Sequence, residues 1–168
     1  MKVLFAAVNA KYVHTSLSVR YLKNYVKQNG IDAEFSEFTI NETKDSVLRK
    51  LYMSDADVYG FSCYIWNIGF VLSVARDLKL LKAECKIILG GPEVSFDGRE
   101  LLEKYPFVDV VVCGEGEKAV VKVLKRGKKI NVKSAFKLKK VYVIFICNLY
   151  ADKNCFDTIF NIFDGLYT

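Results

Sequence analysis

The 168-residue chain is 52% hydrophobic and 26% charged, with 25 basic and 19 acidic side chains and a formal net charge of +6. That is enough apolar material for one core, in a length that would cramp two domains. The charge is lopsided: residues 118–140 hold ten basic and no acidic groups, whereas residues 1–117 hold 14 basic and 16 acidic, so the globular part lacks the basic surface of a nucleic-acid binder. No apolar run reaches the ~18 residues of a membrane span. The five cysteines, Cys63, Cys85, Cys113, Cys147 and Cys155, contain no C-x-x-C pair. A disulfide framework or a zinc or iron–sulfur site built from them is not expected, and a reducing cytoplasm fits best.

In chain order, Lys2 to Val8 is a continuous apolar run closed by Asn9. It is too short for most signal-peptide cores and reads as a buried strand. Thr15 or Ser16 is placed to cap a helix with Leu17, Tyr21, Leu22, Tyr25 and Val26 at helical spacing, stopped by Asn29-Gly30. Ala33 to Phe38 alternates and predicts a strand nearer the sheet edge. Asn41 or Thr43 opens a second helix, with Val47, Leu48, Leu51 and Tyr52 on one face. Asp57 to Tyr64 predicts a third strand and Asn67 to Leu81 a third helix. Lys86 to Leu89 is a fourth strand that ends in Gly90-Gly91-Pro92. A short helix capped by Asp97 follows, then a fifth strand over Val108 to Cys113 and a helix beginning at Glu117.

Five β-α repeats with short connections predict an α/β fold: a doubly wound, Rossmann-like (flavodoxin-like) parallel sheet in the order 2-1-3-4-5. This unit spans residues 1–125. Residues 126–168 form an atypical tail, first basic, then apolar, with Val141 to Cys147 as a sixth strand and Phe156, Ile159, Phe160 and Phe163 as one face of a short helix.

The chemistry gathers where strands stop. In a parallel sheet these carbonyl ends share one edge, and ligands bind there at the switch point between strands one and three. Gly90-Gly91-Pro92-Glu93 joins two residues without a Cβ to a stiff exit, which admits a bulky ligand to the backbone or simply makes a tight turn. Gly114-Glu115-Gly116-Glu117 is similar, with Glu117 suited to a helix start. Neither is a dinucleotide fingerprint or a phosphate loop, because Ala119 stands where the third glycine would be and no G-K-[ST] follows. Ser62-Cys63-Tyr64-Ile65-Trp66-Asn67 offers a hydroxyl and two flat aromatic surfaces, for a planar ligand or for packing. His14, the single histidine, lies in the loop after the first strand and is more often structural than ligating. No Ser/His/Asp or Cys/His set is legible.

Together, Asn9 to His14, the Gly60–Asn67 segment, Gly90-Gly-Pro-Glu93 and Gly114-Glu-Gly-Glu117 resemble the N-terminal cobalamin-binding domain of cobalamin-dependent radical SAM enzymes. The resemblance implies a Rossmann-like domain with cobalamin at the C-terminal strand ends. It implies Asn9, His14, Ser62, Cys63, Tyr64, Trp66, Gly90, Gly91, Pro92, Glu93, Gly114, Glu115 and Gly116 as cofactor-binding residues. Two departures stand out. The D-x-H-x-x-G pattern of domains that ligate cobalt through histidine has Tyr12 and Leu17 in place of Asp and Gly, so a corrin held without His14 is expected. No C-x-x-x-C-x-x-C is present, so S-adenosylmethionine and a 4Fe–4S cluster would belong to a separate catalytic barrel. The chain alone is not expected to be catalytic, and a truncated gene or an altered reading frame after Glu117 would account for its tail. The alternatives are a flavin-binding or cofactor-free flavodoxin-like module, and a tether in which residues 118–140 hold RNA or an acidic partner.

Overall fold

The computed structural model describes residues 1–11, 15–126, 136–138 and 141–145, the last two segments by backbone course. The elements are β1 (Lys2–Asn9), α1 (Leu17–Gln28), β2 (Asp32–Thr39), α2 (Lys44–Met53), β3 (Val58–Ser62), α3 (Ile68–Leu81), β4 (Lys86–Gly90), a 3-10 turn (Pro92–Val94), α4 (Gly98–Lys104), β5 (Val110–Gly114), α5 (Gly116–Arg126), β6 (Phe136–Leu138) and β7 (Val141–Phe145). The sheet order is β2-β1-β3-β4-β5-β7-β6. Its first five strands are parallel, in the order expected from the sequence.

β1 is apolar from Val3 to Val8 because both faces of the sheet are covered. Leu4, Ala6 and Val8 join the core under α2, α3 and α4 with Leu51, Val74, Leu78 and Leu102. Val3, Phe5 and Ala7 join the core under α1 and α5 with Val19, Val26, Val120 and Leu124. Each fully buried aliphatic side chain contributes about 1.5–3 kcal/mol. β2 takes the outer edge, and its alternating sequence matches that exposure.

The sheet is wider than its five parallel strands, and the sixth strand expected over Val141 to Cys147 is present as β7, Val141–Phe145. β7 pairs antiparallel with β5, Gly114 opposite Val141 and Val110 opposite Phe145, and so covers what would otherwise be an open edge. β6 pairs with β7. Three residues set among lysines gave no strand pattern to read in advance. The helix expected around Phe156 to Phe163 lies outside the described residues, as does most of the basic segment 118–140 beyond α5.

Caps depart from expectation in an informative way. Thr43 caps α2, its Oγ1 accepting from the Ser46 amide at 3.3 Å. Ser16 and Asp97 occupy cap positions but make no side-chain cap bond. At α1 the orphan amide of Ser16 donates instead to the carboxylate of Glu37 on β2, so a neighbouring strand sets where that helix begins. Among the described residues no helix is long and apolar enough to cross a membrane.

Candidate functional site

The chain leaves β1 toward the α1 layer and β3 toward the α3 layer, which makes the gap between them the switch point of the sheet. Val8 lies one residue past the last β1–β3 register pair, Ala7 with Ser62. Asn67 reaches into this gap from the start of α3. Its Nδ2 donates to the carbonyls of Val8 at 2.9 Å and Ser62 at 3.0 Å, and its Oδ1 accepts from the Tyr64 amide at 2.8 Å. At 1% exposure, this carboxamide satisfies buried backbone groups that would otherwise be unpaired.

The loop so anchored carries Tyr64 and Trp66, whose rings stack 4.5 Å apart and within 8° of parallel. Trp66 is half exposed. Beneath them the backbone of Cys63 is sewn to the next turn, its amide donating to the Gly90 carbonyl at 2.7 Å and its carbonyl accepting from the Glu93 amide at 3.4 Å. Gly91 sits at φ +114°, and a Cβ there would stand 2.4 Å from the Cys63 oxygen. Its glycine is therefore required by the protein's own close packing, not only by room for a ligand. The Ser95 hydroxyl donates to the Gly91 carbonyl at 2.7 Å and accepts from the Gly114 amide at 3.4 Å, tying the two glycine turns together.

Beside this stapled edge, a cavity of about 230 Å³ opens between α1 and α5 over the sheet. Phe5, Gly60, Ile88 and Val112 form its floor, Ser18 and Leu22 one wall, and Glu117 and Val120 the other. Its rim includes Ser62, Tyr64, Gly90, Gly91, Pro92, Gly114 and Gly116. A Cβ on Gly60 would lie 2.7 Å from the Phe5 ring, so that ring rests directly over the bare backbone of β3. On Gly90 the nearest atoms, both of Val112, would be 3.8 Å away, and on Gly116 the nearest would be Leu22 at 3.5 Å. Side chains at these two positions would fill the cleft without first striking the backbone.

Seven of the expected residues thus share one opening: Ser62, Tyr64, Gly90, Gly91, Pro92, Gly114 and Gly116. Asn9, Cys63, Trp66, Glu93 and Glu115 do not line it, and His14 lies outside the described residues. Asn9 hydrogen-bonds Glu37. The Cys63 side chain is fully buried in the α3 layer. Burial, with the charge of Glu93 adding to it against a hydrogen bond with Gly90, pushes its thiol up to about 12, so the free thiol stays protonated at neutral pH. Burial also pushes the Glu37 carboxyl up, but hydrogen bonds from Arg20, the Ser16 amide and Asn9 outweigh it and hold the group below its ordinary value. Glu117 is the one charged side chain among the described lining residues. No group of three or more His, Cys, Asp or Glu suited to a metal ion occurs among the described residues.

Sequence reading missed Asn67 as a clamp, Ser95 as a tie, and Phe5 with Gly60 as the floor. Each of the first two is a polar residue with one backbone partner distant in sequence, Val8 for Asn67 and Gly114 for Ser95. The last pair declares itself only once β1 and β3 are known to be neighbours, Phe5 opposite Gly60.

Residues 3–124 match the B12 binding domain family. The chain is 30% identical over 128 residues to 2-(S-pantetheinyl)-carbapenam-3-carboxylate methyltransferase of Streptantibioticus cattleyicolor, covering 73% of this chain and 18% of that protein. It is 30% identical over 131 residues to the cobalamin-dependent radical SAM methyltransferase TokK of Streptomyces tokunonensis, with the same coverage of 73% and 18%. The chain therefore spans less than a fifth of the length of these relatives. Among solved structures, the apo form of the cobalamin-dependent S-adenosylmethionine radical enzyme OxsB superposes with a TM-score of 0.59 at 17% identity, over 89% of this chain and 22% of that one. A cobalamin-binding protein from Desulfitobacterium hafniense superposes with a TM-score of 0.56 at 16% identity, over 74% and 57%. Sequence and fold agree: this chain belongs to the B12-binding domain family, and is similar to the cobalamin domain of radical SAM methyltransferases.

Proposed function

We propose that the domain, residues 1–125, carries its cobalamin on the C-terminal edge of the sheet, with the corrin across the glycine turns and a smaller part of the molecule in the α1/α5 cleft. The observation that supports this most is the shared opening of Gly90, Gly91, Gly114 and Gly116 beside an apolar cavity. At about 230 Å³ the cavity is below the ~300–1,000 Å³ that encloses a drug-sized ligand, so a corrinoid cannot be swallowed whole and its ring must lie outside.

In this reading the chain's own residues bind and orient. The bare glycines keep the edge low, and Tyr64 and Trp66 present flat apolar surface beside it. Ser18 and Ser62 offer hydroxyls, Glu117 offers a carboxylate acceptor, and Leu22, Phe5 and Val120 keep water from the cleft. When bound, a corrinoid supplies a cobalt centre able to carry a methyl group. The departure at Tyr12 and Leu17 from the histidine-ligating pattern favours a corrin held by its periphery. Cys63, buried in the core on the α3 side and absent from the cleft lining, does not replace the histidine.

Transfer of the methyl group would require a radical SAM barrel, in the same polypeptide or another, and by this reading the domain delivers the cofactor to it in the cytoplasm. The test is to incubate the purified chain with hydroxocobalamin at about 100 µM, ample for any site of micromolar affinity, and pass it through gel filtration. Co-elution of the corrin absorbance supports the reading. Its absence, or co-elution of flavin from the expression host instead, contradicts it.

A further inference from the structure

We infer that Asn67 is a positioning residue for the cofactor edge: its buried carboxamide, bridging β1 and β3 across the switch point, fixes the pose of the Tyr64–Trp66 pair and thereby the affinity for the corrinoid. This rests on the cofactor reading above. Asn67 neither lines the cleft nor reaches solvent, so it acts through the loop and not by contact.

Both Nδ2 protons and one Oδ1 lone pair are used, on the Val8 carbonyl, the Ser62 carbonyl and the Tyr64 amide. These three groups belong to the end of β1, the end of β3 and the start of the aromatic loop. Only a side chain with two donors and one acceptor at this length serves all three, and among neutral side chains that describes asparagine. The backbone closes the same turn, with the amides of Asn67 and Ile68 both donating to the Tyr64 carbonyl at 3.0 Å. Tyr64 is thus held at its amide and its carbonyl, which sets the backbone from which its ring stacks on Trp66.

The second consequence is where the ligand goes. An unfilled switch point is the usual crevice of a doubly wound sheet. Here Asn67 occupies it from the α3 side, and the free volume lies on the other face, between α1 and α5. The edge is closed where the aromatics must be held and open where the ligand enters.

Trp66 is the chain's only tryptophan, so its fluorescence reports this loop directly. Asn67→Asp keeps shape and the acceptor for the Tyr64 amide but turns both donors into an oxygen facing two carbonyls. Asn67→Ser, which keeps one donor, covers the case in which the aspartate variant fails to fold. Val47→Ala, on the buried face of α2 in the same layer, is a control that lowers stability without touching the loop. The expected result is a rise of at least about twofold in acrylamide quenching of Trp66 in the free Asn67 variants. The hydroxocobalamin Kd should weaken by at least tenfold, with circular dichroism unchanged, and Val47→Ala should keep wild-type quenching and Kd. Wild-type quenching and Kd in a folded Asn67 variant would overturn the inference, as would equal changes in Val47→Ala. If the wild-type chain binds no corrinoid, the cofactor reading falls, and Trp66 quenching alone then decides whether Asn67 positions the loop.

Discussion

Two neighbouring parts of the sheet edge are built in opposite ways. The turns after β3 and β4 are crossed by short polar bonds from Asn67, Cys63 and Ser95, and Gly91 is packed so closely that a methyl group has no room. The α1/α5 cleft beside them is lined mostly by apolar side chains and bare glycines, with Ser18 and Glu117 on its walls and space left over. A buried polar network specifies one geometry because each missing partner is costly, whereas an apolar wall tolerates a guest. The contrast points to a platform whose position is fixed and a slot whose contents can change.

Substitutions on the fixed side should therefore cost stability first. Gly91→Ala meets both a φ of +114° and a 2.4 Å approach to the Cys63 carbonyl oxygen. We expect a loss of about 3 kcal/mol or more, read as a lowered urea midpoint. A wild-type midpoint would mean that the β4 turn is not held as described.

Substitutions on the open side should do the reverse. Gly90→Val puts a branched side chain into the cleft from a strand position where its Cβ makes only ordinary contact. The prediction is an unfolding free energy in urea within about 1 kcal/mol of wild type, with hydroxocobalamin affinity reduced tenfold or more. Gly116→Ala sharpens the same contrast. At the first residue of α5 it gains up to ~1 kcal/mol of helix propensity while narrowing the slot next to Leu22, so stability should hold or rise as affinity falls severalfold. A parallel fall of both quantities in either variant would erase the distinction between platform and slot.

The smallest expected effect lies at the root of the slot's outer wall. Glu37 receives hydrogen bonds from the Ser16 amide and from Arg20, the latter at 2.8 Å, and its carboxyl is held below the ordinary value of 4.5. A depressed carboxylate stabilises the fold above its unfolded pKa, and that contribution is lost as pH falls through the folded pKa. Glu37→Gln should cost about 1 kcal/mol at pH 7, and the difference from wild type should vanish in urea titrations well below pH 4.5. A difference that persists there would assign the loss to packing instead.

How much of this was legible in advance follows from the range of the interactions. The five β-α repeats and their order were readable because hydrophobic period, Asn29-Gly30 and Thr43 act locally. The shared opening of Ser62, Tyr64, Gly90 and Gly114 was readable because strand ends of a parallel sheet converge. What stayed hidden acts across the sheet. Asn67 shows only a helix start until Val8 is its neighbour, Gly91 shows only room for a ligand until Cys63 packs against it, and Phe5 gives no hint that it roofs Gly60. Even the cap of α1 comes from Glu37, a residue in the following strand.

The most direct test of a corrinoid seated over the cleft is equilibrium dialysis of hydroxocobalamin against wild-type chain and Gly90→Val side by side. Saturable binding near one corrinoid per wild-type chain is expected, and binding at least tenfold weaker for the folded variant. Equal binding by the two, or none by the wild-type chain, would contradict it.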